Sequence, residues 1–326
     1  MDTSGSGGLR LAIVGATGAV GGRLVELIEE RALACAELRL YSSDNHMGES
    51  IETGGATRRV ELLADPAELS GLDLVFLAVQ RADAEPLLSA ISGPVVVDLS
   101  AASLAPSKVP FIAPGFGTRE QVRELSRFKL FHLPHPVALA LATILNAIGD
   151  VPFCGATVMM GASSRGHHAI SHLVEQSADL LNGKLEMEDD ERQAAFNAGV
   201  FPNAAELERT LLGQVTLLLG RTPQLDLQCI EVPMLHGTAI AANLPNAAGA
   251  ENWAAALREA PGILVVENEE PATVVDAIEQ EALLLSLRRG SAGTAMWCVF
   301  DNARRAALAA LWIAECLVRD PALQLN

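Results

Sequence analysis

The stretch LRLAIVGATGAVG, at residues 9–21, joins an apolar segment to a glycine-rich loop. The apolar residues 9–14 predict a buried strand, and apolar side chains recur at helical spacing from Ala19 onward. Glycines at such a turn let backbone N–H groups approach a pyrophosphate, while the helix offers its positive end to the same anion. The spacing Gly15-x-x-Gly18-x-x-Gly21 therefore predicts a dinucleotide-binding loop. The alternative is a tight turn that packs the helix on the sheet without a ligand.

More apolar segments follow this loop and predict further strands, at residues 38–43, 72–79 and 94–100. Helical stretches separate them, and this alternation indicates an α/β fold with a Rossmann-like, doubly wound parallel sheet. The segments FIAPGFG (residues 111–117) and FKLFHLP (residues 128–134) are expected to add edge strands.

The pattern changes after Pro134 to a mixture of helices and strands. It predicts a long helix from about Val137, a helix over residues 169–181 and a final apolar helix over residues 302–319. Strands are predicted at residues 156–162, 226–235, 262–267 and 294–300. We therefore expect a dinucleotide-binding domain of residues 1–134 plus 302–326. An α+β domain of residues 135–301 is inserted before the final helix.

Composition narrows the class of protein. The 326 residues carry a formal net charge of −17, whereas proteins that hold phosphate backbones present a basic face, so nucleic acid is not an expected partner. No apolar run reaches the roughly 18 residues of a membrane span, and the N-terminal stretch has no secretory pattern. The five cysteines show no CxxC spacing and predict free thiols. These features favour a cytoplasmic protein with no membrane partner.

Cofactor choice is predicted from the end of the second strand, which normally lies near a ribose. Ser42, Ser43 and Asp44 stand there. An acidic residue at this place accepts from a ribose 2′-hydroxyl and disfavours a 2′-phosphate. Asp44 is equally well explained as a helix cap or a solvated loop residue, so both NAD and NADP remain possible cofactors.

Several segments, in order, resemble landmarks of the aspartate-semialdehyde dehydrogenase family. They are IVGATGAVG, LRLYSS, VVVDLS, IEVPMLHG and DNARRAAL, and the segment from Gly161, GASSRGHHAISHLVEQSADLLNG, is similar to the divergent Usg branch. The resemblance covers nearly the whole chain. It implies a homodimer paired through the inserted domain, and a role linked to amino-acid biosynthesis. In active relatives a cysteine thiolate attacks an aldehyde, a hydride leaves to NADP and phosphate cleaves the thioester.

The chain departs from that pattern where the chemistry is expected. Pro136 stands at the position of the nucleophile, and Thr238 replaces the histidine that moves protons. His236 lies two residues earlier, on what is expected to be the same face of a strand. Leu104 occupies the position of a phosphate-gripping arginine, and Asn45 that of the arginine that reads a 2′-phosphate. Loss of a nucleophile and its base costs on the order of 10⁶ in kcat.

These residues give a leading hypothesis and two rivals. The leading one is a homodimer that keeps a nucleotide or small-molecule site but lacks semialdehyde dehydrogenase activity. The first rival is an NAD(P)-dependent oxidoreductase with relocated catalytic residues, for which His135, His236 and Thr238 are candidates. The second is a structural subunit that binds nothing. The predicted cofactor-binding residues are Gly15, Ala16, Thr17, Gly18, Ala19, Val20, Ser42, Ser43 and Asn302.

Two other features are interpreted structurally. His168 and His172 lie four residues apart on a predicted helix, but no acidic third ligand is evident, so no metal is expected. Cys154 begins a predicted strand and is interpreted as a small buried hydrophobe. The acidic segment KLEMEDDE, residues 184–191, is expected to be a solvated loop.

Overall fold

A computed structural model describes residues 8–42, 48, 50–53, 56–100, 111–184, 192–245, 252–267 and 270–318. The chain divides into two compact units. Unit 1 comprises Met1–His135 and Ala306–Asn326, and unit 2 comprises Pro136–Arg305. The sequence predicts the corresponding boundaries after residues 134 and 301.

Unit 1 is built on a seven-stranded sheet in the order β3-β4-β2-β1-β5-β6-β7. All described neighbours pair in parallel except β3 and β4, which form an antiparallel hairpin at the edge. The predicted doubly wound fold is confirmed. Its strands are β1 (Leu9–Val14), β2 (Cys35–Ser42), β3 (Ser50–Thr53), β4 (Ala56–Leu62), β5 (Leu74–Leu77), β6 (Val95–Asp98) and β7 (Leu130–His132).

Helices join these strands, and their apolar faces are buried. Helix α1 buries Leu24, Val25, Leu27 and Ile28, as the helical spacing predicts. Helix α3 begins with a capping box in which Thr118 and Gln121 satisfy each other's backbone N–H groups. The helices of this part are α1 (Ala19–Glu30), α2 (Arg81–Ala90) and α3 (Arg119–Leu125).

One prediction for unit 1 is wrong, and one element of it was not predicted. The segment 111–117 is not an edge strand, because only Phe111 bridges to His132, and Gly115 then adopts a left-handed φ of 82°. Pro114 also lacks the N–H that a ladder requires. The hairpin β3–β4 was not predicted, because Arg58 and Arg59 of β4 interrupt the apolar pattern by which a strand is recognised.

Unit 2 contains a mixed sheet in the order β12-β13-β14-β11-β8-β10-β9. The pairs β8–β10 and β12–β13 are parallel, and the other pairs are antiparallel. The α+β prediction for this half is therefore confirmed. The strands are β8 (Cys154–Met160), β9 (Gly199–Val200), β10 (Leu225–Glu231), β11 (Thr238–Pro245), β12 (Ile263–Val265), β13 (Leu283–Arg289) and β14 (Gly293–Phe300).

The helices of unit 2 include the two that begin at candidate site residues, Pro136 and Asn302. The last helix starts in unit 2 and belongs to unit 1 from Ala306 onward. No helix of the described residues is long and apolar enough to cross a membrane. The helices are α4 (Pro136–Ile148), α5 (His167–Leu181), α6 (Ala204–Leu219), α7 (Trp253–Glu259), α8 (Val274–Ala277) and α9 (Asn302–Val318).

Candidate functional site

The glycine-rich loop of unit 1 is held tightly against the end of β2. The backbone N–H groups of Gly15 and Ala16 both donate to the carbonyl of Tyr41, at 2.8 and 2.9 Å. The Thr17 hydroxyl lies 2.6 Å from the hydroxyl of Ser42, which ties the next residue to the same strand. These hydrogen bonds fix the shape of the loop.

The three glycines of the motif meet different constraints. A Cβ on Gly15, whose φ is 92°, would lie 2.4 Å from the carbonyl oxygen of Ala78. A Cβ on Gly21 would lie 2.0 Å from the carbonyl oxygen of Gly15, so α1 packs on the loop only with glycine there. A Cβ on Gly18 would lie 3.2 Å from the same oxygen. Gly15 and Gly21 are thus required by packing alone, whereas Gly18 is the least constrained of the three.

The start of α1 offers hydrogen-bond donors. Gly18 is the N-cap residue, and it has no side chain to cap the helix. The first N–H groups of a helix have no intrahelical acceptor, so those of Ala19, Val20 and Gly21 suit an anion at the positive helix end. Thr17, Gly18, Ala19 and Val20 are partly exposed. These groups fit the pyrophosphate of a dinucleotide, since a side chain at Gly18 would fill the cradle.

The other predicted cofactor residues are placed differently. Ala16 is fully buried and its N–H is engaged by Tyr41, so it shapes the loop and does not offer a donor. Ser42 reaches the loop through Thr17. Ser43 lies outside the described residues, together with Asp44 and Asn45.

In unit 2, the residues at the expected nucleophile and base positions fit the local backbone. Pro136 is the first residue of α4, a position that favours proline because the missing N–H would have no intrahelical acceptor. Thr238 begins β11, pairs with Phe300 and Met160, and is fully buried. Its hydroxyl has no hydrogen-bond partner among the described residues. A proton-transfer group is therefore absent from both positions.

The segment before Thr238 is a loop and not the predicted strand. Strand β10 ends at Glu231, and His236 lies on the loop that follows, where its side chain is exposed. Gly237 has a φ of 84°, which ends the extended conformation. The expectation that His236 shares a strand face with Thr238 is therefore wrong. The predicted strand over residues 226–235 is also too long at its C-terminal end.

Backbone hydrogen bonds fix this loop. Ala162 and Ser163 donate to the carbonyls of Met234 and Leu235 at 2.8 and 2.9 Å. The Ser163 hydroxyl donates to Oδ1 of Asn302 at 3.2 Å, which places this predicted cofactor residue at the start of α9 within unit 2. The segment from Gly161 and the loop before β11 thus form one connected structure.

The remaining candidates are His135, Cys154 and the histidine pair of α5. Burial lowers the pKa of His135 to about 4, although part of the residue stays accessible, so its imidazole is uncharged at neutral pH. Burial raises the pKa of the Cys154 thiol to about 11, as expected for a small hydrophobe at the start of β8. His168 and His172 lie on α5, and the part of the chain that the structure describes contains no cluster of three or more potential metal ligands.

One polar pair was not predicted from the sequence. Nδ1 of His132 lies 2.7 Å from Oδ2 of Asp98, and both side chains are buried. The two residues end β7 and β6 and are directly paired across the sheet. The backbone N–H of Ser100 donates to the other carboxylate oxygen at 2.9 Å. Each residue closes an apolar run, but only the sheet register brings them together.

Comparison with known proteins identifies the family to which the chain belongs. The family model for the semialdehyde dehydrogenase NAD-binding domain matches residues 10–125. The USG-1 protein homolog of Pseudomonas aeruginosa is 32% identical over 95% of this chain and 98% of its own length. The chain belongs to the aspartate-semialdehyde dehydrogenase family.

Solved structures of the family have the same fold over nearly the whole chain. A probable aspartate-semialdehyde dehydrogenase from Pseudomonas aeruginosa has a TM-score of 0.82 and 30% identity, covering 96% of this chain and 99% of that one. Aspartate semialdehyde dehydrogenase II from Vibrio cholerae, complexed with ASA, has a TM-score of 0.81 and 26% identity over the same shares of the two chains. The family's NAD-binding domain corresponds to the part of unit 1 that carries the glycine-rich loop.

Proposed function

We propose that this member of the aspartate-semialdehyde dehydrogenase family binds NAD or NADP but does not carry out the semialdehyde dehydrogenase reaction. The observation that carries the proposal is the pair of residues at the expected nucleophile and base positions. Pro136 begins α4 without a nucleophile, and Thr238 is fully buried at the start of β11. The reaction of active relatives, as the resemblance implies it, needs a thiolate and a proton-moving group at these positions.

The Thr238 hydroxyl and the thiols of unit 2 do not replace that pair. The Thr238 hydroxyl has no described partner that would activate it. The described thiols of unit 2 are buried, and burial raises the pKa of Cys154, Cys229 and Cys298 to about 11, 12 and 12. A thiol with such a pKa is almost entirely protonated at neutral pH and is therefore a poor nucleophile.

Retention of the nucleotide is supported by the geometry of the loop. The open cradle at Gly18 and the N–H groups that begin α1 would hold the pyrophosphate, and Thr17 and Ser42 would line it. When bound, a nicotinamide cofactor supplies a hydride acceptor or donor. The residues of the chain bind and orient it.

Calorimetry with NAD and NADP, together with an absorbance assay, tests both halves of the proposal. We expect binding of at least one nucleotide and no phosphate-dependent change in nicotinamide absorbance when aspartate semialdehyde is added. The Gly18→Ala variant is the control for binding at the loop. Absence of heat with either nucleotide at millimolar concentration would overturn the binding half, and turnover of aspartate semialdehyde would overturn the inactive half.

We further propose that the protein is a homodimer paired through unit 2. Val174 and Leu181 lie on one face of α5 and are 49% and 77% exposed. Exposed apolar side chains at this spacing favour a protein interface. Light scattering is expected to give a dimer for the native chain and a monomer for a Val174→Glu, Leu181→Glu variant. Leu62→Glu, an equally drastic change at an exposed leucine of unit 1, is expected to leave the dimer intact.

A further inference from the structure

The pair Asp98–His132 stands at the edge of the sheet where α/β proteins bind their ligands. Asp98 is the last residue of β6, and His132 is the last residue of β7. The glycine-rich loop follows β1, and because these strands are parallel, their carboxyl ends share one edge. Ligands of such sheets occupy the crevice outside the carboxyl ends. The position therefore suits a ligand-contacting group.

The carboxylate of Asp98 is fixed and charged. Burial by itself would raise the pKa of Asp98, but hydrogen bonds from His132 and Ser100 outweigh it and hold the pKa below its ordinary value. An ionised carboxylate accepts hydrogen bonds only. Nδ1 of His132 is therefore the donor in the 2.7 Å contact. This assigns the tautomer in which Nε2 of the neutral ring carries the lone pair.

Nε2 is thus left as an oriented acceptor. No hydrogen bond to it is found among the described residues, and 8% of the His132 side chain stays accessible, against 3% for Asp98. A histidine held through Nδ1 by a buried aspartate is the arrangement in which Nε2 serves as a general base.

We propose that His132, positioned by Asp98, accepts a hydrogen bond from the hydroxyl of a small alcohol bound beside the nicotinamide half of a dinucleotide. The inference rests on the nucleotide binding proposed above and names the class of substrate for that site. The hydroxyl proton moves to Nε2, and Asp98 stabilises the imidazolium that forms. An oxidised nicotinamide, when bound, would supply the acceptor for the hydride that leaves the alcohol carbon. The product is the corresponding carbonyl compound.

The side of the crevice follows from the strand order. The end of β2 lies near the ribose of the adenosine half in sheets of this kind. In the order β4-β2-β1-β5-β6-β7, β6 and β7 lie on the opposite side of β1 from β2. Neighbouring strands are separated by about 4.8 Å, so His132 on β7 lies roughly 14 Å along the edge from β1. A dinucleotide that crosses β1 places its nicotinamide half on this side.

Nitrogen NMR of the histidine side chains tests the proposal on the full chain without relying on turnover. Histidine-labelled protein is recorded at mildly alkaline pH, alone, with saturating NAD or NADP, and then with trifluoroethanol as a hydroxyl donor. We expect the Nδ1–H tautomer for His132 and a shift of its Nε2 resonance when trifluoroethanol is added to the nucleotide-bound protein. The His132→Gln variant identifies the resonance, and the exposed His236 serves as the internal control that does not shift.

The outcomes separate this inference from the proposed function. A merely structural pair gives the same tautomer but no Nε2 shift with trifluoroethanol, and that result with calorimetric nucleotide binding intact overturns the inference alone. Absence of nucleotide binding overturns both. In Asp98→Asn the tautomer is no longer enforced, because an amide offers donors as well as an acceptor, so the shift is expected to disappear. If that variant does not fold, the result with the native chain still decides.

Discussion

Two regions of the molecule differ in how strongly packing restricts the residue type. One is the glycine-rich loop of unit 1, and the other comprises the first residues of α4 and β11 in unit 2. At the loop, Gly15 and Gly21 leave no space for a Cβ, so packing and ligand binding demand the same residue. At Pro136 and Thr238, the backbone accepts side chains with no chemistry. Packing therefore accounts for Gly15 and Gly21 at the loop. Under the function proposed above, Pro136 and Thr238 stand where active relatives carry reactive residues.

This difference limits what each motif indicates. A glycine retained for packing does not by itself establish a ligand, and the informative glycine is Gly18, whose surroundings tolerate a Cβ best. Variants at both kinds of position measure the contrast.

The largest effect is expected at Gly21. In Gly21→Ala the new Cβ meets the carbonyl oxygen of Gly15 at 2.0 Å, and we expect a loss of about 3 kcal/mol or more of unfolding free energy. The matched control is Gly22→Ala on the same helix, where the nearest atom lies at 4.0 Å. That change is expected to stabilise the protein by up to about 1 kcal/mol through helix propensity. Equal effects in urea denaturation would show that the motif is not held by packing.

Acid sensitivity is expected to arise at His135, the residue that precedes α4. His135 has a pKa of about 4 in the folded chain, below its ordinary value of about 6.5. Between these pH values the unfolded chain binds a proton that the folded chain does not, so stability falls as pH drops from about 6.5 to about 4. We expect a loss on the order of 2 kcal/mol, reduced from the full shift because the residue is partly accessible.

The test is the pH dependence of urea unfolding in His135→Asn and in His236→Asn. The first variant is expected to lose much of the slope between those pH values. The second alters an exposed loop histidine and is expected to keep the native profile. The same slope in all three proteins would place the acid sensitivity elsewhere.

A binding effect without a comparable stability effect is expected at Gly18. The Cβ of Gly18→Ala meets the Gly15 carbonyl at 3.2 Å, which small shifts of the loop accommodate. If the loop binds a dinucleotide as proposed, this Cβ would also occupy space next to the pyrophosphate. We expect nucleotide affinity to fall by about tenfold or more, which corresponds to about 1.4 kcal/mol, with a smaller change in unfolding free energy. Unchanged calorimetric affinity would assign this glycine to the turn alone.

The smallest effect is expected at Thr238. Its buried hydroxyl has no described partner, so Thr238→Val removes a desolvated polar group at nearly constant shape. We expect a gain of about 1 kcal/mol in unfolding free energy. Thr143→Val is the control, because that hydroxyl donates to the Leu139 carbonyl at 2.7 Å and accepts from Arg305 at 3.0 Å. A loss of stability in Thr238→Val would show that the hydroxyl has a bound partner.

The sequence predicted elements well wherever the signal was local. Apolar runs located β1, β5 and β6, and a strand, a turn and a helix in succession identified the loop. Strand β4 was missed, because Arg58 and Arg59 interrupt the apolar pattern by which a strand is recognised. The predicted strand position of His236 was wrong, because β10 ends at Glu231 and the left-handed Gly237 separates His236 from β11.

The candidate site was predictable to the same extent. The glycines, Pro136 and Thr238 are recognised one position at a time. Asp98 and His132 are 34 residues apart, and their contact depends on β6 and β7 being neighbours in a particular register. The sequence does show that Asp98 and His132 each end an apolar strand. This places both residues at one edge of the sheet, but it does not predict their contact.

The order of segments along the chain has a consequence for synthesis. Unit 2 is a continuous stretch, Pro136–Arg305, whereas unit 1 needs residues from both ends of the chain. The C-terminal part of α9 contributes the buried Ala307, Ala310 and Ile313, and the Cys316 carbonyl accepts from Nε of Arg123. The ribosome synthesises the N-terminus first. The N-terminal part of unit 1, Met1–His135, therefore exposes apolar surface until α9 has been synthesised. We therefore expect chaperones to bind unit 1 of the nascent chain at a stage when unit 2 has already folded.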